Sequence, residues 1–136
     1  MALARAGIGS WACDLSTGAL DWTSGVYELF GLTQADRLDR RDTLGFYEEE
    51  SRETMERLRA RAIDRACPFV MEARIIRSDG ERRWMKLSAD VVRQHGRTTK
   101  LYGLKQDITE EKKRWEALRQ LAESDPLTGL MNRAVY

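Results

Sequence analysis

The sequence predicts an α+β domain, with a five-stranded antiparallel sheet, helices on one face of it, and a C-terminal helix. Two short stretches with strand periodicity open the chain, and three more follow residue 68. The strongest helical pattern lies between these two groups. The chain has 136 residues, which fits one domain of ordinary size with a core that needs neither disulfides nor metals.

The opening of the chain predicts a β-hairpin followed by a short helix. Trp11 and Cys13 alternate with smaller or polar neighbours, as in a strand with one buried face. Residues 16–18 read STG, which is typical of a turn, and ALDWT follows as the second strand. Ser24 is then expected to be the N-cap of a short helix, and Gly31 is expected to end it.

The middle of the chain predicts helices. Residues 32–47 are irregular and charged, which indicates a short helix or a loop. Residues 48–66 form a long amphipathic pattern that Pro68 is expected to end. The apolar face of that helix consists of Met55, Leu58, Ala62 and Ala66.

Three strands joined by hairpins are predicted after Pro68, with turns at residues 78–81 and around Gly96. Alternation assigns one face of these strands to the helices. The opposite face is too apolar to be left bare, so a partner is expected to cover it. That opposite face carries Val70, Ile76, Trp84, Val92, Tyr102 and Leu104.

A final helix is predicted to follow Asp107, which stands at the N-cap with Glu110 at the capping-box spacing. Its apolar stripe repeats every seven residues and consists of Ile108, Trp115, Ala122 and, between them, Leu118, with Glu111 in the other d position. One alternative is a helix that packs back on its own sheet. The other, which we favour, is a helix that leaves the domain and pairs with the same helix of a second copy.

Composition excludes several function classes. The net charge of +1 argues against a protein that binds nucleic acid through clustered positive charge, and no apolar run is long enough to span a membrane. Two cysteines form neither a disulfide framework nor a zinc site, so we predict reduced thiols and a cytoplasmic location. We find no metal site and no nucleophile–base pair, so the chain by itself is not expected to be an enzyme.

Three stretches carry a family resemblance. GIGSWACDLSTGALDWTSGVYELFG at the start, RSDGERRWMKLSADV in a hairpin and GLKQDITEEKK at the exit together resemble a PAS domain with its PAC motif over residues 7–113. The stretch DPLTGLMNR then resembles the first motif of a GGDEF (diguanylate cyclase) domain. The resemblance divides the chain into a PAS/PAC domain at 1–107, a linker helix at 108–124 and the beginning of a GGDEF domain at 125–136.

This resemblance implies a role in cyclic di-GMP signalling. GGDEF domains condense two GTP molecules, and their signature loop, metal-binding acids and guanine contacts lie beyond the motif seen here, so this chain is expected to lack cyclase activity. The implied function is a sensory and dimerising module that regulates the downstream cyclase. The homodimer is expected to use Trp84, Tyr102 and Leu104. Signal transmission is assigned to Asp107, Thr109, Trp115, Leu118 and the pair Asp125 and Arg133.

PAS domains enclose a ligand cavity between the sheet and the small helices, which predicts a pocket here. By strand alternation its walls are Trp11, Cys13, Phe69, Met71, Ile75, Met85, Leu87, Ala89, Val91, Leu101 and Lys105. Lys105 is the unusual member. It either binds an anion such as a carboxylate, or it packs its stem inside and extends its head to water, which is the favoured interpretation.

Two alternatives to a ligand sensor stay open. One is a dimerisation scaffold whose core is filled and binds nothing. The other is a cofactor-binding redox or gas sensor, but His95 lies in a predicted turn, and the light-sensing motif with a flavin-reactive cysteine is absent. Cys13 and Cys67 are expected to be small packing residues. The sequence therefore identifies no cofactor.

Overall fold

The computed structural model describes residues 7–34 and 39–124, and its strands form one sheet. The strands are β1 (Ile8–Asp14), β2 (Leu20–Trp22), β3 (Phe69–Ile76), β4 (Arg82–Gln94) and β5 (Arg97–Asp107). Their order across the sheet is β2-β1-β5-β4-β3, and every neighbouring pair is antiparallel. The predicted five-stranded antiparallel sheet is confirmed, and the first and last strands of the chain meet at its centre.

Four helices accompany this sheet in the described residues. They are α1 (Ser24–Phe30), α2 (Arg40–Leu44), α3 (Glu49–Arg65) and α4 (Thr109–Ser124). The first three lie between β2 and β3 in the chain and supply side chains to the core on one face of the sheet. The α+β prediction, with its helices grouped in the middle of the chain, is therefore confirmed.

The core forms where these helices meet the inner face of the hairpin strands. Burial alternates along β3, as the period of two predicts: Met71, Ala73 and Ile75 are buried. Each large apolar side chain removed from water contributes about 1.5–3 kcal/mol to stability. The buried members of the cluster are Trp22, Val26, Leu29, Phe30, Tyr47, Met55, Met71, Ala73, Ile75, Met85 and Leu87.

A tight turn and a β-bulge together set the register of the β4–β5 hairpin. His95 and Gly96 alone join β4 to β5, with φ values of 55° and 74°. Positive φ at both positions is the type I′ turn, whose twist matches that of the flanking strands. A β-bulge between Val92 and Arg93 then shifts the pairing by one residue, and this shifted register places Leu87 opposite Lys105 and Met85 opposite Asp107.

One predicted helix start is wrong by one residue, and the predicted end of the long helix agrees with the structure to within one residue. Ser24 is the first residue of α1 and the N-cap is Thr23, whose hydroxyl accepts a hydrogen bond from the Ser10 N–H at 2.9 Å and so ties the start of the helix to β1. Ala66 adopts a left-handed conformation with φ of 55° and ends α3 two residues before Pro68. Proline disfavours helical backbone in the residue before it, so the chain leaves the helix early.

Candidate ligand cavity and exit-helix junction

A cavity of about 50 Å³ lies between the sheet and the helices α2 and α3. A space of this size admits a few water molecules or a small solute. Its walls mix aromatic, aliphatic and cationic side chains. They are Trp11, Cys13, Leu20, Trp22, Arg40, Thr43, Tyr47, Met55, Arg59, Phe69, Leu87, Leu101 and Lys105.

Strand alternation identified part of this wall. The predicted residues that do line the cavity are Trp11, Cys13, Phe69, Leu87, Leu101 and Lys105. The predicted Met71, Ile75 and Met85 do not; they belong to the core cluster, together with Phe30 of α1. Ala89 and Val91 also lie outside the wall. Alternation assigns a residue to a face of the sheet, but the helices decide which part of that face remains open.

The residues that sequence reasoning missed come mainly from the helical segment. Arg40 and Thr43 belong to α2, Tyr47 follows it, and Met55 and Arg59 belong to α3. One signal was available: Met55 and Arg59 are four residues apart, so they share a face of the helix. The irregular pattern of residues 32–47 gave no comparable signal for α2.

Lys105 lies inside an aromatic cage. Its Nζ is 5.1 Å from the ring centroids of both Trp22 and Phe30, 5.6 Å from that of Trp11 and 5.8 Å from that of Tyr47. Only 7 % of the residue is exposed. The favoured expectation that its head reaches solvent is therefore wrong. The head is enclosed because rings from β1, β2, α1 and the segment before α3 close over it.

Burial changes the protonation of this lysine. Desolvation lowers the pKa of Lys105 to about 7, and Cys13 is the neighbouring group that acts in the opposite direction. The ring faces favour the cation, but they supply no oxygen to accept its N–H bonds. The same burial raises the pKa of the Tyr47 hydroxyl far above its ordinary value. Near neutral pH the cavity thus contains a lysine close to its titration point.

Two arginines add positive charge to the wall. Arg40 forms an ion pair with Glu56 on α3, and burial together with the nearby Arg59 lowers the pKa of its guanidinium. Both arginines are half-buried. Among the described residues that line the cavity, Lys105, Arg40 and Arg59 carry cationic side chains and none is acidic.

A close backbone approach fixes the tryptophan on the cavity wall. The Trp11 indole Nε1 donates to the Ser88 carbonyl at 3.1 Å, although these residues are 77 positions apart. Gly103 lies opposite Trp11 in the sheet, and a Cβ there would come within 1.9 Å of that carbonyl oxygen. Glycine at this position therefore allows β4, β5 and the Trp11 ring to meet.

The junction between β5 and α4 is held by Asp107. Its Oδ2 accepts from Arg83 Nη1 at 2.8 Å, and its Oδ1 accepts from the Thr109 N–H at 2.9 Å. The predicted N-cap position is wrong by one residue, because the first helical bond runs from the Lys112 N–H to the Ile108 carbonyl. Asp107 remains in the sheet. Its carboxylate lies one position before the N-cap and accepts the hydrogen bond of the Thr109 N–H at the start of the helix.

Trp84 connects the same junction to β4. Its N–H donates to Thr109 Oγ1 at 2.9 Å, and its carbonyl accepts from the Ile108 N–H at 2.9 Å. Its ring makes cation–π contacts with two side chains, with Arg74 Cζ at 5.1 Å and Lys112 Nζ at 4.6 Å from the centroid. Trp84, predicted for the dimer face, is thus half-buried and partly covered by the first turn of α4.

Beyond its first turn, α4 projects from the domain. Ile108 and Thr109 are buried, and Lys112 forms an ion pair with Glu72 on β3. Trp115 and Leu118 are then 74 % and 63 % exposed, and every residue from 113 to 123 is exposed. Leu121, which sequence reasoning did not include in the stripe, is exposed as well. The helix is thus not packed along its own sheet.

The outer face of the sheet presents a row of apolar side chains. Val70, Tyr102 and Leu104 are exposed, and Ile76, Trp84 and Val92 are half-buried. Ser88 pairs with Val70 in the sheet, and its Oγ accepts from the Leu104 N–H at 3.1 Å, so Val70 and Leu104 flank it on neighbouring strands. The uncovered apolar face predicted for Tyr102 and Leu104 is present.

The remaining candidates lie outside these two regions. His95 is exposed in its turn, Cys13 is buried, and Cys67 is half-buried with its Sγ 3.8 Å from the Arg65 carbonyl. The predicted pair of Asp125 and Arg133 lies outside the described residues. Of the helices in ranges 7–34 and 39–124, none combines the length and apolarity needed to cross a bilayer.

Comparison with known sequences gives a family and two curated relatives. Residues 19–105 match the family described as PAS fold. Sensor protein FixL of Bradyrhizobium diazoefficiens is 32 % identical over 114 residues, which cover 83 % of this chain and 23 % of the relative. Probable diguanylate cyclase DgcE of Escherichia coli K12 is 28 % identical over 114 residues, 84 % of this chain and 10 % of the relative. The chain thus spans less than a quarter of either relative.

Comparison with solved structures shows the same fold. The crystal structure of a sensory box histidine kinase/response regulator from Burkholderia thailandensis E264 superposes with a TM-score of 0.73 at 19 % identity. The superposition covers 90 % of this chain and 92 % of that one. At this low identity the superposition shows that the two chains share the arrangement of sheet and helices, and it shows nothing about ligands.

Proposed function

Since the chain belongs to the PAS fold family, we propose that it is a sensory and dimerising module that regulates a diguanylate cyclase on the same polypeptide. The observation that carries this proposal is the exit helix, which leaves the sheet at Asp107 and projects from the domain up to residue 124. The stretch that resembles a GGDEF opening motif begins at the next residue. The similarity to DgcE supports the same output.

The proposed signal path starts at the cavity. Lys105 and Asp107 are two residues apart on β5, so their side chains share a face and lie about 7 Å from each other along the strand. A ligand that shifts Lys105 therefore acts close to the carboxylate that holds both Arg83 and the start of α4. The displacement then reaches the downstream domain through the helix.

The proposed homodimer brings two cyclase domains together. Condensation of two GTP molecules needs two loaded catalytic domains that face each other, so dimer geometry controls the rate. Trp115 and Leu118 supply an exposed stripe on α4, and Tyr102 and Leu104 supply an exposed patch on the sheet. A second copy of the chain that covers both surfaces would remove this apolar area from water. We assign the protein to the cytoplasm, where GTP is available.

A scaffold that dimerises the enzyme without a ligand is the second candidate. The observation in its favour is the small size of the cavity, about 50 Å³, beside a lysine that already contacts four aromatic rings. This candidate shares the homodimer and the helical linker with the first. The two candidates differ in whether occupation of the cavity changes the rate of the output domain.

Cyclic di-GMP synthesis by the natural protein that carries this chain tests the proposal. Purified protein is incubated with GTP and Mg²⁺, and the product is quantified by mass spectrometry. We expect removal of residues 7–107 to change the rate about tenfold, which corresponds to a typical coupling free energy. The absence of product from the natural protein would contradict the cyclase assignment, and an unchanged rate after removal would contradict regulation.

A further inference from the structure

We propose that the cavity beside Lys105 binds a small organic carboxylate, with its carboxylate group toward the Lys105 ammonium and its hydrocarbon part against the aromatic and aliphatic walls. This inference deepens the proposed sensory function by naming the class of ligand. It rests on that function only for its biological meaning, because binding is a property of this chain alone and is tested without any output domain.

The charge of the cavity wall favours an anionic ligand. Lys105, Arg40 and Arg59 are cationic, and the wall holds no acidic side chain within the described residues. Ion pairs in that part of the chain include Arg40 with Glu56, but none is formed by Lys105 or Arg59. Burial of the Lys105 cation without a counter-ion is costly, and an anion that enters the cavity would supply that counter-ion.

The aromatic cage leaves the N–H groups of Lys105 without oxygen acceptors from its four rings. The four rings stabilise the Lys105 ammonium through cation–π contacts at 5.1–5.8 Å, but an ammonium has three N–H donors that need oxygen acceptors. A carboxylate supplies two such oxygens and the opposite charge. Because the residue is 7 % exposed, bulk water is largely excluded from competing for these donors.

The remaining walls select an organic acid over inorganic phosphate. Leu20, Leu87 and Leu101 offer apolar surface that a short hydrocarbon chain would cover. The volume of about 50 Å³ restricts the ligand to a few non-hydrogen atoms, so acids of the size of acetate or propionate fit this cavity as it stands. The proposed ligand is therefore a short monocarboxylate or a compound that presents the same group.

Binding is expected to weaken as the pH rises. The titratable and charged groups that face Lys105 are Cys13 on β1, Tyr47 before α3, Arg40 on α2 and Arg59 on α3. Arginine keeps its charge at all relevant pH values, and burial keeps the Tyr47 hydroxyl protonated by raising its pKa. With a pKa of about 7, Lys105 is charged at lower pH and loses its proton above it. The affinity for an anion should follow that charge.

Titration of the chain with propionate, monitored by amide NMR, tests the proposal. Propionamide is the neutral control of the same shape, and inorganic phosphate is the control for a general anion. At pH about 6 we expect propionate to shift the amides of residues 101–106 and to bind at least about tenfold more tightly than either control. No shift with propionate, or equal binding of propionamide or phosphate, would overturn the proposal.

Two variants and one matched control test whether propionate binds in the cavity beside Lys105. Lys105→Met removes the charge and keeps the length of the side chain, and Arg59→Gln removes a charge from a half-buried position. Arg57→Gln makes the same change on the solvent side of α3. We expect both cavity variants to weaken propionate binding about tenfold or more, and Arg57→Gln to leave it unchanged. If Lys105→Met does not fold, Arg59→Gln carries the test, and unchanged affinity in Arg59→Gln then overturns the proposal.

Discussion

Arg83 and Asp107 form a hydrogen-bonded ion pair, 2.8 Å between Nη1 and Oδ2, at the point where β5 ends and α4 begins. The other oxygen of the same carboxylate accepts the Thr109 N–H. The Asp107 carboxylate therefore connects the start of α4 to Arg83 on β4, and the Asp107 backbone belongs to β5. In the proposed mechanism this carboxylate links the cavity to the output.

Loss of the Asp107 carboxylate should release the start of α4. We expect Asp107→Ala to lower the free energy of unfolding by about 1–3 kcal/mol, because Arg83 Nη1 and the Thr109 N–H lose their acceptor, although Arg83 Nη2 keeps its ion pair with Glu81. Asp107→Asn keeps an oxygen for one of these donors and should cost less. Urea denaturation measures both, and hydrogen exchange at the Lys112 amide reports on the helix start. Equal stability of Asp107→Ala and the parent chain would show that the junction is not held here.

Replacement of Lys105 by methionine should stabilise the chain at neutral and lower pH. Folding lowers the pKa of Lys105 from 10.5 to about 7, so the folded state carries the full cost of the buried cation below pH about 7. That cost is at most on the order of 5 kcal/mol and is partly offset by the cation–π contacts. As the pH rises from about 7 toward 10.5, the folded state loses its proton first and the cost disappears.

The measurement is urea denaturation of both chains between pH about 6 and 10. The advantage of Lys105→Met should be largest at the acidic end and should shrink as the pH rises. Lys100→Met, on an exposed position of the same strand, should change stability by less than about 0.5 kcal/mol. An advantage that does not vary with pH would mean that Lys105 is not the group that titrates.

A methyl group at position 103 should disturb the sheet. Gly103→Ala places a Cβ 1.9 Å from the Ser88 carbonyl oxygen, which also accepts the Trp11 indole N–H. We expect a loss of about 2–3 kcal/mol and a change in Trp11 fluorescence, because β4 and β5 must move apart. Gly45→Ala is the control, since its nearest contact is 3.5 Å away and its φ is −66°. If both variants are equally stable, the close approach does not constrain the sheet.

A charge in the exposed stripe of α4 should weaken the proposed dimer. We expect Leu118→Glu to shift the sedimentation equilibrium of the chain toward monomer by about tenfold or more in the dissociation constant, because a carboxylate would be buried at the interface. Gln120→Glu introduces the same charge at an exposed polar position of the same helix. If the two variants behave alike, the stripe is not the interface.

Strand alternation predicted the sheet well because a period of two assigns each side chain to a face without knowledge of the rest of the fold. Met71, Ala73 and Ile75 are buried as that period requires. The sequence predicted the junction between β5 and α4 less accurately. Asp107 reads as a helix cap in the sequence, but it pairs with Met85 in the sheet, so the helix starts later.

The cavity could be predicted only in part. Its strand-borne wall follows from alternation, but Arg40, Tyr47 and Arg59 enter it through the packing of helices on the sheet. The same packing encloses Lys105. Two of its four rings, Trp22 and Tyr47, lie 25 positions apart in the chain, and no local pattern links them.

The rotational phase of α4 is the most direct test of the central claim, that this helix transmits the state of the PAS domain to a cyclase. One residue inserted after Leu118 in the natural protein rotates the downstream part by about 100°, whereas seven inserted residues return it to within about 20° of its original face. Cyclic di-GMP production should change about tenfold with one inserted residue and return close to the parent rate with seven. Equal rates for the parent and both insertions would contradict the account.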